Sequence, residues 1–165
     1  MHRLIPALAL LLTACTAAAP VAGFRDPARA IYSSAVLDPA RLTGHWHQVA
    51  DFAAAPGCAA AGVRFVPGGA AGRIDGQLCL AGVVTTLAGP ITAIGPGRFA
   101  VAGLADPLWV LWADTDVRTL VIGTPAGRFG VILNRDTALP QDRLTAAREV
   151  LAWNGYDLDR LQISR

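Results

Sequence analysis

Short apolar segments alternate with turn residues along most of the chain beyond residue 23, and this pattern is typical of β-strands. Gly, Pro and Asp residues separate the segments and supply the backbone angles of turns. The pattern predicts strands near residues 44–52, 59–66, 73–81, 83–94, 98–103, 108–113, 117–123 and 129–134. Short links exclude parallel pairing, which needs long crossovers, so we predict an antiparallel up-and-down meander. Closure into a barrel would remove its two exposed edges.

A single helix follows the last predicted strand. Residues 140–154 place Leu144, Ala147 and Leu151 on one face, and Gly155 ends the helical pattern. The opposite face is charged, so we expect the helix to pack outside the barrel. Residues 161–164 are mixed enough to form one more edge strand. The predicted fold is therefore an all-β, eight-stranded barrel with one C-terminal helix.

The first residues have the features of an export signal. A short basic start leads into an apolar run from Leu4 to Leu12, which is shorter than the about 20 residues of a membrane span. Leu12-Thr13-Ala14-Cys15 resembles the lipobox of bacterial lipoproteins, in which the cysteine becomes the lipidated first residue. The alternative is a signal cleaved elsewhere, with Cys15 a passenger.

This interpretation divides the chain into a signal peptide over residues 1–14, a lipidated linker over residues 15–36 and a barrel domain over residues 37–165. Thr16 follows the cysteine, whereas Asp at that position retains such lipoproteins in the inner membrane. We therefore expect a lipid anchor in the outer membrane, with the protein on the periplasmic side.

Composition narrows the functional classes. The chain is 53% hydrophobic, and its net charge of +2 is too small for a nucleic-acid binder. All 14 basic residues are Arg, which excludes Schiff-base and P-loop lysine chemistry. No grouping of Ser, His and acid residues suggests a catalytic site. His45 and His47 share one face of a strand, but they lack a third metal ligand and fit a surface pair better.

Cys58 and Cys79 form an even pair once Cys15 is assigned to lipid, and export favours a disulfide between them. If Gly68-Gly69 is the two-residue tip of a hairpin, position 58 faces position 79. A longer tip would move the facing pair by one or two positions and leave a diagonal bond. The alternative is two reduced, buried thiols.

Three motifs in order resemble those of the lipocalins, specifically the outer-membrane lipoprotein type. Gly44-His45-Trp46 resembles the G-x-W motif of the first strand, after an opening turn from Leu37. Thr115 and Asp116 lie where the second motif places a T-D-Y turn, and Arg135 occupies the place of the third-motif arginine. The resemblance covers nearly all of the chain from Leu37 onward.

The resemblance implies that Gly44, Trp46, Thr115, Asp116 and Arg135 are structural, with the guanidinium stacked on the indole at the closed end of the barrel. Two positions depart from the motifs. Val117 replaces the tyrosine of the second motif, and Gln48 stands where an acidic residue is common.

Many strand residues are Ala or Gly, and small inward side chains would leave a cavity, although a tighter barrel would not. Alternation from Trp46 assigns the lining of the cavity to one face of each strand. The candidate ligand contacts are Ala50, Val63, Phe65, Leu78, Leu80 and either Trp109 or Trp112. We expect the polar head of a ligand near the open end, beside Arg73 or Arg98.

We consider three hypotheses for the function of this protein. The first is a lipid-anchored carrier that holds a fatty acid or a lysophospholipid in the barrel. The second is an envelope lipoprotein with a filled barrel that acts as a structural or assembly partner. The third is an enzyme such as an isomerase, for which the sequence offers only the precedent that one fold hosts many chemistries. We predict a carrier without a cofactor, a metal or enzymatic activity.

Overall fold

The computed structural model describes residues 23–164 except 56, 57, 60, 67, 69 and 70, so the predicted signal and Cys15 lie outside the described residues. The order of the elements is β1 (Gly44–Phe52), β2 (Gly62–Val66), β3 (Ala71–Leu80), β4 (Val83–Gly95), β5 (Arg98–Val101), β6 (Leu108–Ala113), β7 (Thr119–Gly123), β8 (Gly130–Asn134), α1 (Gln141–Trp153) and β9 (Leu161–Ile163). Short 3-10 helices precede β1 at Pro39–Leu42 and β9 at Leu158–Arg160. No helix in the described part of the chain is long and apolar enough to cross a bilayer.

The sheet is a closed antiparallel barrel. Consecutive strands pair with each other from β1 through β8. β8 also pairs with β1, which closes the ring. β9 adds to the second half of β1. The predicted meander and its closure are confirmed, and the differences in strand bounds are small: β2 begins at Gly62, β5 ends at Val101 and β7 begins at Thr119.

Two apolar clusters lie on opposite faces of the barrel wall. The inner cluster fills the barrel: Leu42, Trp46, Val63, Phe65, Ile74, Leu78, Leu80, Leu87, Ile91, Phe99, Val101, Leu108, Val110, Val117, Leu120, Ile122, Phe129, Val131 and Leu133. The outer cluster joins the wall to α1 and to the chain ends: Phe24, Val49, Ala50, Phe52, Leu111, Val121, Ile132, Ala147, Leu151, Tyr156 and Leu161. The predicted placement of the helix outside the barrel is confirmed, with Ala147 and Leu151 buried against it.

The segment before the barrel packs on its surface. Arg25 is buried, and its guanidinium donates hydrogen bonds to the carbonyls of Asn154, Pro125 and Arg29. These bonds tie the segment to the end of α1 and to the β7–β8 loop. Residues 23–36 belong to the predicted linker, and the buried Arg25 holds this described part of it against the barrel.

Cys58 and Cys79 form the predicted disulfide, with their Cα atoms 5.8 Å apart. The predicted register of the hairpin is wrong by two positions, because Gly62 faces Gln77 and the turn between β2 and β3 is longer than two residues. Cys58 and Cys79 are therefore not a directly facing pair. The bond runs diagonally from the β1–β2 loop to Cys79, near the end of β3.

The side chain of Gln48 forms hydrogen bonds with both backbone polar groups of Cys79, beside the part of β3 that β2 does not cover. Its amide nitrogen donates to the Cys79 carbonyl at 2.9 Å, and its amide oxygen accepts from the Cys79 N–H at 2.8 Å. The side chain thus provides the two bonds that a neighbouring strand would provide. A carboxylate at this position could accept one bond but donate none, which explains why the amide suits this gap.

Loss of the disulfide is expected to destabilise the barrel without unfolding it. The bond closes a loop with a sequence separation of 21 residues, and restricting the unfolded chain in this way is worth about 2–4 kcal/mol. Urea unfolding of the double variant Cys58→Ala, Cys79→Ala should show a free energy of unfolding lower by that amount. An unchanged midpoint would mean that Gln48 and the ladder hold this edge without the covalent link.

Candidate functional site

The barrel has two chemically different ends. At the first, here called the helix end, the 3-10 helix Pro39–Leu42 lies beside the β2–β3, β4–β5 and β6–β7 links. The opposite end, here called the mouth, is formed by the β1–β2, β3–β4, β5–β6 and β7–β8 links. An ion pair between Arg128 and Asp106, 3.1 Å apart, joins two of the links at the mouth.

Trp46 and Arg135 meet at the helix end, as the resemblance implied. The guanidinium carbon of Arg135 lies 3.8 Å from the centre of the Trp46 ring, and the guanidinium donates to the carbonyls of His45 and Arg41. The indole N–H donates to the carbonyl of Leu42. Burial, with a smaller contribution from the Arg118 charge, lowers the pKa of Arg135, and the group still remains charged at neutral pH.

Gly44 is required by this stack. Its φ of +103° is a conformation that other residues rarely adopt, and an added Cβ would lie 3.1 Å from the Arg135 guanidinium. The polar atoms of the stack are thus used within the fold, and they fit a structural role at this end of the barrel.

The carboxylate of Asp114, which directly precedes Thr115 and Asp116, holds the β6–β7 turn. The Asp114 carboxylate accepts from the backbone N–H groups of Arg118 and Thr119, at 2.6 and 2.7 Å. Thr115 and Asp116 are exposed in the turn. Val117 has a φ of +52° and buries its side chain in the inner cluster, in place of the tyrosine of the motif.

Four of the predicted lining residues face the interior: Val63, Phe65, Leu78 and Leu80 all belong to the inner cluster. Ala50 does not, and the prediction is wrong because the register of β1 against β8 shifts between Gln48 and Ala50. This β-bulge turns Val49 and Ala50 outward into the outer cluster. One extra residue therefore reverses the facing of the rest of the strand.

Both tryptophans of β6 lie on the outer face. The β6–β7 register shifts between Val110 and Trp112, so that Trp109 and Trp112 pack with the outer cluster despite their odd spacing. Neither lines the cavity, contrary to the prediction. Arg98 stacks on the outer side of Trp109, with its guanidinium carbon 4.0 Å from the ring centre.

The arginines predicted near the open end are at the helix end. Arg98 begins β5 and Arg73 lies near the start of β3, and both strands run in the direction of β1, away from the helix end. Arg73 is paired with Asp75 at 2.9 Å on the exposed surface. His45 and His47 are exposed on either side of the buried Trp46.

An apolar cleft of about 340 Å³ opens at the helix end, between the 3-10 helix and the ends of β2, β4 and β5. Four of its lining side chains, Leu42, Phe65, Ile91 and Phe99, are also members of the inner cluster. The volume lies within the usual range for small-molecule sites. The core of the barrel is therefore accessible to an apolar group from this end.

Asp51, which was not among the predicted site residues, lies on the inner face of the barrel wall. Opposite it on β8 is Val131 of the inner cluster, so the carboxyl group points into the barrel near the mouth. The residue is only 7% exposed, and no described residue forms a hydrogen bond with its Oδ2 atom. Burial raises the pKa of Asp51. The signal was present in the sequence, where an acid interrupts the apolar second half of β1.

Replacing this carboxyl group is expected to change how stability depends on pH. Because burial raises its pKa in the folded state above the unfolded value of 3.8, Asp51 favours the folded state below that value and loses this contribution as pH rises through the folded-state pKa. At pH 7, Asp51→Leu should unfold with a free energy about 1–3 kcal/mol larger than the unaltered protein, since it removes an unpaired buried polar group.

Urea unfolding between pH 4 and pH 8 measures this difference. The control is Glu149→Gln, which removes an exposed carboxyl group of α1 and should leave the pH dependence unchanged. Equal pH profiles for Asp51→Leu and the unaltered protein would show that the Asp51 carboxyl group reaches solvent.

Comparisons with known proteins agree with this architecture. Residues 98–165 match the family described as the lipocalin-like domain, whereas no curated protein sequence gives a significant match. Lobster apocrustacyanin A1 has a similar structure, with a TM-score of 0.60, 14% identity, and coverage of 77% of this chain and 78% of that one. The siderocalin Ex-FABP, which functions through dual ligand specificities, aligns with a TM-score of 0.59 at 12% identity over 75% of this chain and 93% of its own. The closed eight-stranded barrel with a helix outside it is thus the lipocalin fold.

Proposed function

We propose that this protein is a lipid-anchored envelope carrier that takes the alkyl chain of a fatty acid or a lysophospholipid into its barrel. The observation that carries the proposal is the interior of the barrel, which the apolar side chains of the inner cluster line apart from the inward positions of Gln48 and Asp51. Transfer of an alkyl chain from water to such surroundings is favourable by about 0.8 kcal/mol per methylene. Micromolar binding is therefore the expected outcome after the costs of ordering.

The cleft at the helix end supports the same proposal. It brings a ligand into contact with Phe65, Ile91 and Phe99, which belong to the inner cluster, without first displacing a strand. An alkyl chain that enters here would contact the apolar side chains that line the cleft. The polar lining atoms near Asp38 and Thr43 lie where solvent reaches the cleft.

A lipid anchor on Cys15 would lie close to the mouth of the barrel. Gly23, the first described residue, lies against the β7–β8 loop at the mouth, where the Phe24 N–H donates to the Gly127 carbonyl. Cys15 is eight residues earlier in the sequence, a span of at most about 28 Å. A lipid on Cys15 would therefore hold the mouth close to the outer membrane, where amphipathic ligands are found.

A filled barrel with a structural role is the second candidate, and the size of the inner side chains favours it. Trp46, Phe65, Phe99 and Phe129 are all buried in the interior, in place of the small residues that the composition suggested. Such a protein would act through its surface. Ligand binding separates the two candidates.

Titration calorimetry of the delipidated protein with palmitate and with a lysophospholipid below its micellar concentration tests the carrier. Saturable binding is expected, and Ala93→Trp should weaken it at least tenfold, because Ala93 lines the cleft and the indole would occupy it. The matched control is Ala88→Trp, which adds the same side chain on the exposed outer face of β4.

Two results would count against the carrier. Absence of binding to the unaltered, folded protein would favour the filled barrel. Equal weakening by Ala93→Trp and Ala88→Trp would show that the ligand contacts the outer surface rather than the cleft.

The anchor has its own test. Intact mass of protein from the membrane fraction should correspond to residues 15–165 plus acyl groups, and Cys15→Ser should release the protein into the soluble exported fraction. The lipid is the proposed source of membrane attachment, so its loss should suffice. An exported Cys15→Ser protein that stays on the membrane would remove the anchor from the proposal.

A further inference from the structure

Among the described residues, the buried carboxyl group of Asp51 has no counterion. The described ion pairs join Arg73 with Asp75, Arg118 with Asp136, Arg128 with Asp106 and Arg143 with Asp114, and none includes Asp51. Other arginines are engaged elsewhere: Arg25 binds backbone carbonyls, while Arg98, Arg135 and Arg160 stack on aromatic rings. The six internal positions outside the described residues are Pro, Gly or Ala, so they add no side-chain charge.

The surroundings of Asp51 are apolar on the inner face. Asp51 pairs with Val131 on β8, which pairs with Ile122 on β7, which pairs with Val110 on β6. All three of these partners belong to the inner cluster. On the other side, β9 places the neutral Gln162 opposite Asp51. A carboxyl group in this position adds nothing to packing that an apolar residue would not provide, and its Oδ2 atom forms no hydrogen bond with the described residues.

We propose that Asp51 recognises a protonated amine on an amphipathic ligand, so that the barrel prefers an alkylammonium head over an alkyl alcohol or a fatty-acid carboxylate of the same length. The proposal rests on the proposed function, because it needs the alkyl chain inside the barrel, with the head group at the mouth beside Asp51 and the chain directed toward the cleft at the helix end. It narrows the ligand class to amphiphiles whose head carries an ammonium group, as the ethanolamine lysophospholipids do.

The chemistry of the site gives the order of preference. An ammonium group supplies both the hydrogen-bond donor and the positive charge that the buried carboxylate lacks, and charge-assisted hydrogen bonds are the stronger kind. A hydroxyl group supplies a donor without the charge. A carboxylate head would place two negative charges together in apolar surroundings, which is unfavourable. The expected order of affinity is therefore amine, then alcohol, then carboxylate.

The positive net charge of the protein does not explain a preference for an amine. The formal charge is +2, so long-range electrostatics would favour an anionic ligand slightly and disfavour a cation. A preference for the amine must therefore come from a local negative group. Asp106 is also at the mouth, but its carboxylate is already paired with Arg128.

Calorimetric titration at pH 7.5 with dodecylamine, dodecanol and laurate tests the order directly, with dodecanol kept below its solubility limit and the other two below their micellar concentrations. The three probes share one alkyl chain, so differences in affinity report the head group alone. Dodecylamine is expected to bind at least about tenfold more tightly than dodecanol, the size of effect that a hydrogen bond to a charged group provides. Laurate is expected to bind least tightly.

Asp51→Asn assigns the preference to this residue. The variant should lose about tenfold in dodecylamine affinity and little in dodecanol affinity, since the amide keeps the shape and removes the charge. Glu149→Gln is the matched control, because it removes an exposed carboxyl group from the outer helix and should leave all three affinities unchanged.

The titrations with the three probes use the unaltered protein, so the order of affinity does not depend on the folding of a variant.

The outcomes separate this proposal from the function on which it rests. If none of the three probes binds, the carrier itself is wrong. If all bind with equal affinity, or if laurate binds as tightly as dodecylamine, the carrier stands and the role of Asp51 is overturned. An amine preference that survives in Asp51→Asn also overturns it, because the charge would then lie elsewhere.

Discussion

Strand β1 is the element on which the rest of the structure depends, because it bonds to three other strands. Its first half pairs with β2, its second half pairs with β9, and its other edge pairs with β8. One strand can serve both halves only if it bends, and the bulge between Gln48 and Ala50 provides the bend. Closure of the barrel, attachment of the C-terminal segment and the inward facing of Asp51 all follow from this one irregularity.

The bend leaves a gap in the hydrogen-bonding ladder that side chains must fill. Beyond Gly62 the β2 ladder ends, and the Gln48 amide bonds both backbone groups of Cys79 in its place. The disulfide from Cys79 to Cys58 holds the β1–β2 loop over the same region. A covalent bond and a side-chain amide thus secure the part of the wall that strand pairing leaves open, directly beside the mouth.

The two ends of the barrel differ in whether their buried polar groups have hydrogen-bond partners. At the helix end, the Trp46 and Arg135 stack uses its polar groups on backbone carbonyls, which fixes the entry of the chain into β1. At the mouth, the Asp51 carboxyl group keeps an oxygen without a partner among the described residues. Buried polar groups in native proteins are usually satisfied, so an exception inside an apolar barrel points to a role outside folding.

The sequence by itself determined the eight strands, their antiparallel order, the helix outside the barrel and the disulfide, because hydrophobic periodicity and turn residues are local signals. Strand direction alternates along a meander, so the sequence also implied that Arg73 and Arg98 lie at the helix end, and the prediction that put them near the open end did not use this signal. Only the tertiary structure decided which face Ala50, Asp51, Trp109 and Trp112 occupy. A bulge adds one residue to a strand without a mark in the composition, and its position depends on how the neighbouring strand pairs.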